Sequence, residues 1–483
     1  MKKTDASINY ILQLFLGPAA FLLVRLLPLN GLDATAQICM GIYAWMMVWW
    51  AFKPIPWIAT TLLPLILFPL LGISTLAETT STMFGQRIFF LLLFIFMLGN
   101  AVIRVGIGHR LAVTMLSIQW INGKIDRFIF IFMITAAILQ AIFGVVGIII
   151  TMSVGKAVID FIFAECDRLE IAVDKKKTGS HIILAGAYGQ MAGCMVTIQA
   201  NPQNILTISL YEELLHGTVT YMQWFIPGLV FAVVTVPVVY LILKLLFKSS
   251  LKEIPNANAY FSAEKEKLGK VGVSERRLWI LVIFIVFLWI FTTFVKIPGA
   301  DYFLVAILGL VLLYIVPEAP KSPKAFLGIE DAKKVNWDNI FLVTGAIGYS
   351  GILTKMGVIG WVAENIQGLH WSVLFIIAVI ATALMTNFLA GMATATAMAT
   401  LLLPLSLSTP IHPLVFVKCI ATMSVGLMVP WAGTAAAITF GSQHLDMKEM
   451  IRVGILMVFV IGALLIGLNL IAMQIPALYP PLR

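Results

Sequence analysis

Apolar runs long enough to cross a bilayer dominate this chain. Phe225 to Leu246 carries a single charge, Lys244, and Leu278 to Val295 carries none. A helix of about 20 apolar residues matches the hydrocarbon thickness of a membrane. It also satisfies its own backbone N–H and C=O groups, which lipid cannot do. A membrane β-barrel would instead alternate in segments of about ten residues. Charged residues make up 11% of the chain and hydrophobic ones 60%, whereas a soluble domain carries roughly a quarter charged residues. The fold class expected is therefore an all-α polytopic membrane protein.

The net charge of +9 does not point to nucleic acid, because Lys and Arg fall in short loops between apolar runs, where they report topology. Cys39, Cys166, Cys194 and Cys419 are scattered, and the six His residues share no metal-ligand spacing, so neither a metal site nor a cofactor is expected. No phosphate-binding Gly-rich loop with Lys-Ser or Lys-Thr is present, which argues against a primary pump. Met1 to Asp5 is a short charged start, and Leu12 to Leu27 reads as a retained first span rather than a cleaved leader.

The spans read as 10–29, 36–52, 55–73, 86–105, 182–199, 222–246, 278–296, 300–316, 338–356, 413–440 and 450–475. Two longer apolar stretches, 127–165 and 371–408, are each expected to break near the middle, at Thr151–Gly155 and at Ala390–Thr394. A helix–break–helix of that length can enter and leave a membrane on one side, so both are read as re-entrant hairpins. Charge tests that choice. With the N-terminus inside, the inner loops hold Lys2, Lys3, Lys53, Lys175–Lys177, Lys252, Lys265, Lys270, Arg276, Lys321 and Lys333, among others. The outer loops 30–35, 74–85, 211–221, 357–370 and 409–412 hold no Lys or Arg, and only the tail Arg483 departs from the pattern. The reading is eleven spans plus two hairpins, with the N-terminus cytoplasmic and the C-terminus external.

Two segments resemble each other. Arg87-Ile88-Phe89-Phe90 leads through Arg104-Val105-Gly106 to Leu111-Ala112, and Asn339-Ile340-Phe341 leads through Lys355-Met356-Gly357 to Val362-Ala363. Each is followed by a candidate hairpin and then by a broken span, at Thr197–Asn204 and at Val429–Thr434. The copies begin at the fourth and the ninth span, an offset of five, so they are inverted. The division that follows is a tail and first span (1–35), a first repeat (36–246) with an inward-side hairpin, a cytoplasmic connector (247–277), a second repeat (278–475) with an outward-side hairpin, and an external tail (476–483). Inverted repeats with interrupted helices are the usual build of secondary transporters. A helix broken at the midplane presents free N–H groups and a positive dipole end to a small anion. The competing reading is that Gly and Pro kinks only help helices to pack.

The Gly186–Gly193 run leading to Thr197 and Asn201-Pro202-Gln203-Asn204, the Gln223–Gly228 segment, and Ser424–Pro430 with Phe440-Gly441-Ser442 resemble the divalent anion/sodium symporter family of di- and tricarboxylate transporters. The resemblance covers about residue 36 to 475. It implies a homodimer in which a transport part moves against a scaffold, an elevator-type alternation. It also implies a Ser-Asn-Thr motif at each hairpin tip that binds substrate carboxylate and sodium. Here the first tip reads Thr151-Met152-Ser153. The second reads Gly391-Met392-Ala393 or Thr394-Ala395-Thr396, and neither keeps the Asn. The turn in the second half reads Gly433-Thr434-Ala435-Ala436.

Lys156 follows the expected first tip inside an apolar arm. A charge at membrane depth costs at least ~2.5 kcal/mol, so it must face protein, water or an opposite charge. Asp160 lies one helical turn on and could pair with it. The alternative is that the ammonium stands where the family places sodium. A fixed cation would make crossing empty costly, which favours sodium-independent exchange of one dicarboxylate for another over sodium-coupled symport. The substrate-binding candidates are Thr151, Met152, Ser153, Asn201, Asn204, Gly391, Met392, Ala393, Thr394, Thr396, Gly433 and Thr434, with Lys156 and Asp160 for charge coupling. An anion channel is a lesser alternative, and an enzyme is not expected, for want of a His, Asp, Glu or Cys cluster at membrane depth. The partners expected are a small carboxylate, the bilayer and a second copy. Arg25 and Lys418 lie toward span ends, where snorkelling accounts for them.

Overall fold

The computed structural model describes residues 2–248, 251–295, 297–320, 322–365 and 370–480. Expectations resting on Lys321, on 366–369 of an outer loop, and on Arg483 lie outside the described residues. Among the described residues, helix is the dominant structure, and strand-like pairing is limited to two isolated bridges, Lys124–Glu253 and Pro317–Ala325. Six helices of the described residues are long and apolar enough to cross a membrane: Ile88–Val105, Ile125–Phe143, Val145–Arg168, Tyr221–Leu246, Val273–Phe294 and Met447–Ala472. Their outer faces carry exposed large apolar side chains such as Leu245, Phe294 and Phe459. Such a surface needs lipid rather than water. The chain is a polytopic, multi-pass membrane protein.

The first long stretch folds as two helices, Ile125–Phe143 and Val145–Arg168, joined by Gly144 alone. Gly144 has φ +57° and ψ −135°, a conformation that side-chain-bearing residues avoid. The two arms touch at the backbone beside this turn, where a Cβ on Gly147 would lie 2.7 Å from the Leu139 carbonyl oxygen. The reversal is thus at Gly144, and Thr151–Gly155, the expected break, is continuous helix. The reason is local. The Thr151 hydroxyl donates to the Gly147 carbonyl at 2.8 Å, a bond that keeps a polar residue inside a helix. Gly155 makes room for Phe132, whose ring a Cβ there would meet at 2.9 Å.

The second stretch forms Trp371–Met385 and Gly391–Ser406, with the break at Thr386–Ala390. The expected break at Ala390–Thr394 overlaps it only at Ala390, because Gly391–Thr394 are the first turn of the second arm.

Two further helices are interrupted alike. Lys175–Cys194 passes through a short turn, Ile198–Ala200, into Pro202–Leu215. Pro413–Met423 passes through Pro430–Ala432 into Thr434–Phe440. Pro202–Leu215 corrects the sequence reading, which ended the span at 199 and placed 211–221 in a loop. Its residues are mixed in polarity, yet Asn204 through Tyr211 are all buried. Protein rather than lipid surrounds the helix, so it lacks the apolar signature of a span. The halves pack crosswise: Pro202–Leu215 lies on Gly391–Ser406 and Pro413–Met423, while Thr434–Phe440 lies on Val145–Arg168 and Lys175–Cys194.

Glycines set how closely the central helices approach. A Cβ on Gly189 would meet the backbone of Met133, and one on Gly193 the backbone of Ala137. Lys175–Cys194 is thereby seated against the first hairpin arm with no side chain between them. Lys418 corrects the snorkelling expectation: it is 0% exposed. Its ammonium donates to the Gln223 carbonyl and the Tyr479 hydroxyl, each at 2.9 Å, and lies 4.4 Å from the Tyr479 ring centroid. Tyr479 in turn donates to Asn469 Oδ1 at 2.8 Å, which ties the C-terminal segment to the core.

Candidate functional site

Both turns and both interruptions border one central cavity of about 120 Å³. Four helices begin at its wall: Val145–Arg168, Pro202–Leu215, Gly391–Ser406 and Thr434–Phe440. Their cap residues are Gly144, Asn201, Ala390 and Gly433, and none supplies a side-chain cap hydrogen bond. A helix start leaves its first N–H groups without partners and carries roughly half a positive charge. A fifth helix at the same wall, Trp337–Lys355, is by contrast capped by Asn336, whose Oδ1 accepts from the Asn339 N–H at 3.2 Å. No Lys, Arg, Asp or Glu is among the described residues lining the cavity. Dipole ends and amides thus set its polarity, which favours an anion.

Hydrogen bonds fix the turns against the interruptions. Gln140 donates to the Ala200 carbonyl at 2.7 Å, and the Thr197 hydroxyl donates to the Ala141 carbonyl at 2.6 Å. A Cβ on Gly144 would sit 3.0 Å from the Gln199 carbonyl oxygen, so the turn abuts the interruption directly. In the other half, Trp431 Nε1 donates to the Asn387 carbonyl at 2.8 Å. Gly391 touches both halves: a Cβ there would meet the Ser424 carbonyl and lie 3.0 Å from Gln203 Nε2.

Of the residues singled out from sequence, Asn201, Gly391, Met392, Gly433 and Thr434 line this cavity. Thr151, Met152, Ser153, Asn204, Ala393, Thr394 and Thr396 do not. Thr151 and Thr396 are turned back onto their own helices, donating to the carbonyls of Gly147 and Met392. Met152, Ala393 and Thr394 are buried in packing, and Ser153 is exposed. Asn204 buckles the first interruption instead: its Nδ2 donates to the carbonyls of Cys194 at 2.6 Å and Thr197 at 3.0 Å.

Lys156 is exposed on Val145–Arg168 and outside the cavity. It stands about 16 Å along the helix from Val145, at the usual rise per residue. Asp160 does not pair with it. Asp160 Oδ1 lies 3.3 Å from His444 Nε2. His444 lies between the helices Thr434–Phe440 and Met447–Ala472, so the pairing inferred from spacing along one helix yields to a partner from a loop, and the turn at Gly144, earlier than expected, leaves Lys156 away from the cavity.

Sequence reasoning passed over Gln140, Val145, Gln190, Gln203, Asn336 and Asn339, all of which line the cavity. Gln140 did leave a signal, a lone amide in an apolar arm just before a glycine. Gln190 lies inside the Gly186–Gly193 run, where the glycines drew the reading.

Residues 9–475 match the family described as the sodium:sulfate symporter transmembrane region. The sodium-dependent dicarboxylate transporter SdcS of Staphylococcus saprophyticus is 27% identical over 473 residues, covering 94% of this chain and 90% of that protein. Its namesake from Staphylococcus aureus strain MRSA252 is 27% identical over 504 residues, covering 97% and 94% respectively. The match bears out the family resemblance carried by the Gly-rich run and the two interruptions, and these relatives are transporters rather than enzymes. The chain belongs to the sodium:sulfate symporter transmembrane family.

Proposed function

We propose that the chain is a secondary transporter of a small dicarboxylate, driven by sodium. The observation that carries this reading is the meeting of four uncapped helix starts around a cavity with no charged side chain. The three longer helices alone offer roughly 1.5 positive charges in dipole ends, a fair match to a dianion. Dipole ends do not move charge across a membrane, however, so a dianion carried without a fixed lysine needs cations to travel with it. The removal of Lys156 from the centre takes away the reason to favour exchange, and the relatives are named as sodium-dependent.

One observation supports the second reading, sodium-independent exchange: Val145 and Met392, just after the two turns, offer no side-chain oxygen to sodium. The two readings separate in proteoliposomes. Uptake of labelled succinate that needs an inward sodium gradient is the expected result. Uptake that needs internal succinate and ignores sodium establishes exchange, and vesicles that take up no dicarboxylate under either condition overturn the proposal.

The finer architecture belongs to the same proposal: eleven spans and two re-entrant hairpins, an inverted repeat divided at the connector 247–277, the N-terminus inside and the C-terminus outside, and an elevator-type movement within a homodimer. Several contacts support the sidedness. His444 and Asp446, from the 441–449 loop assigned inside, meet Asp160 and Lys176 near the 166–181 loop, also assigned inside. Arg110 donates to the Leu268 carbonyl at 2.7 Å, joining the connector to the inner loop 106–126. His412 Nε2 lies 2.8 Å from the Pro480 carbonyl, joining an outer loop to the C-terminal segment. The matched helix–turn–helix interruptions and their crosswise packing support the repeat.

A further inference from the structure

Gln190 is 3% exposed and lines the central cavity, and neither its Nε2 nor its Oε1 has a hydrogen-bond partner. Its place is rigid. Gly189 and Gly193 on either side press Lys175–Cys194 against the backbone of Ile125–Phe143, so the residue cannot retreat from the cavity without unpacking the two helices. A buried amide with both ends unpaired is costly unless something fills the cavity and pairs it. Asn201 Nδ2, also on the wall, is likewise without a partner.

The inventory is asymmetric in an informative way. Helix starts, Asn201 Nδ2 and Gln190 Nε2 are donors, which suits carboxylate oxygens. Gln190 also brings one carbonyl oxygen, whichever way its amide is turned, and that acceptor needs a donor or a cation. A fully ionised unsubstituted dicarboxylate has no donor to give. A dicarboxylate that carries an O–H group does.

On the basis that this cavity carries dicarboxylates, we propose that Gln190 is a specificity-determining residue that pairs with an O–H group of the substrate, so that hydroxylated four-carbon dicarboxylates are preferred over succinate. Leaving the buried acceptor unpaired against succinate is expected to cost about tenfold in affinity.

The test is competition against labelled succinate uptake in proteoliposomes of the full chain at neutral pH, with unlabelled malate and unlabelled succinate as competitors. Malate is expected to inhibit at about one-tenth the concentration of succinate, and Gln190→Leu to bring the two within about twofold of each other. Acidic pH separates the two sources of an O–H group. If succinate then gains potency in the wild type but not in Gln190→Leu, a protonated carboxyl also serves as the donor. If it gains none, the hydroxyl alone serves. Equal potency of malate and succinate in the wild type at neutral pH overturns the proposal, and this arm does not depend on the variant folding. An advantage of malate that persists undiminished in Gln190→Leu also overturns it. A wild-type protein that carries no dicarboxylate is a different failure, since it removes the transport reading on which this one rests.

Discussion

Replacing Gly144 by alanine tests where the first turn lies. The native backbone there, φ +57° and ψ −135°, is open to glycine and strained for any other residue, at about 1–3 kcal/mol. The added methyl would also stand 3.0 Å from the Gln199 carbonyl oxygen and 3.5 Å from that of Ala200. These are backbone atoms at the interruption, which cannot swing aside as a side chain can. Relief therefore requires the turn to lift off the interruption that frames the cavity. Taking about 2 kcal/mol as the penalty on the binding-competent geometry, the apparent substrate affinity should fall about 30-fold. Gly155→Ala is the matched control. Its position is helical, and the methyl meets the Phe132 ring rather than main chain. The assay is KM for sodium-driven succinate uptake, alongside the shift in melting temperature that succinate produces in detergent. Gly144→Ala should raise KM and shrink the ligand-induced shift, while Gly155→Ala should do much less. Wild-type behaviour of Gly144→Ala, or greater damage from Gly155→Ala, would mean that the first turn does not lie at Gly144.

Three other outcomes follow from the same geometry. Lys156→Ala should leave KM and counterflow within about twofold of wild type, as expected of an exposed charge without a partner; a large loss of affinity in transport assays would return the lysine to the site. Asn204→Ala removes the two hydrogen bonds that close the first interruption and strands buried carbonyls, so the detergent-solubilised protein should lose about 2–4 kcal/mol of stability, read as a lower melting temperature. Lys418→Ala leaves the Gln223 carbonyl and Tyr479 hydroxyl without their shared donor, and should free the C-terminal segment, measured as faster proteolytic trimming of the tail and a lower melting temperature.

The helices that face lipid were readable from sequence because lipid imposes one rule on them, continuous apolarity over the thickness of a membrane. Tyr221–Leu246 and Met447–Ala472 obey it and were placed within a few residues. Pro202–Leu215 escaped because protein surrounds it, and a helix sheltered from lipid can carry Asn204, Thr207 and Ser209. The turns were misplaced for a related reason. Thr, Ser and Gly are read as breaks, yet inside a packed membrane helix a Thr hydroxyl can bond to its own backbone and a Gly can admit a neighbouring ring. Those are the roles that Thr151 and Gly155 take. Gly144 looks no different from Gly147 in the sequence, and only its backbone angles mark it as the turn. Five of the twelve candidate binding residues line the cavity. They come from the helix start just after the second turn and from the two interruptions, where the reading was off by a few residues or none. Gln190 was missed because its significance is the absence of a partner, which no spacing encodes.

A cryo-EM map of the protein in lipid nanodiscs with succinate and sodium would locate the substrate relative to the four helix starts. Anion density is expected enclosed by the helix starts at Val145, Pro202, Gly391 and Thr434, within reach of Gln190 and Asn201. Density seated beside Thr151, Ser153 and Lys156 instead, with the cavity between the two turns holding no anion, would contradict that placement.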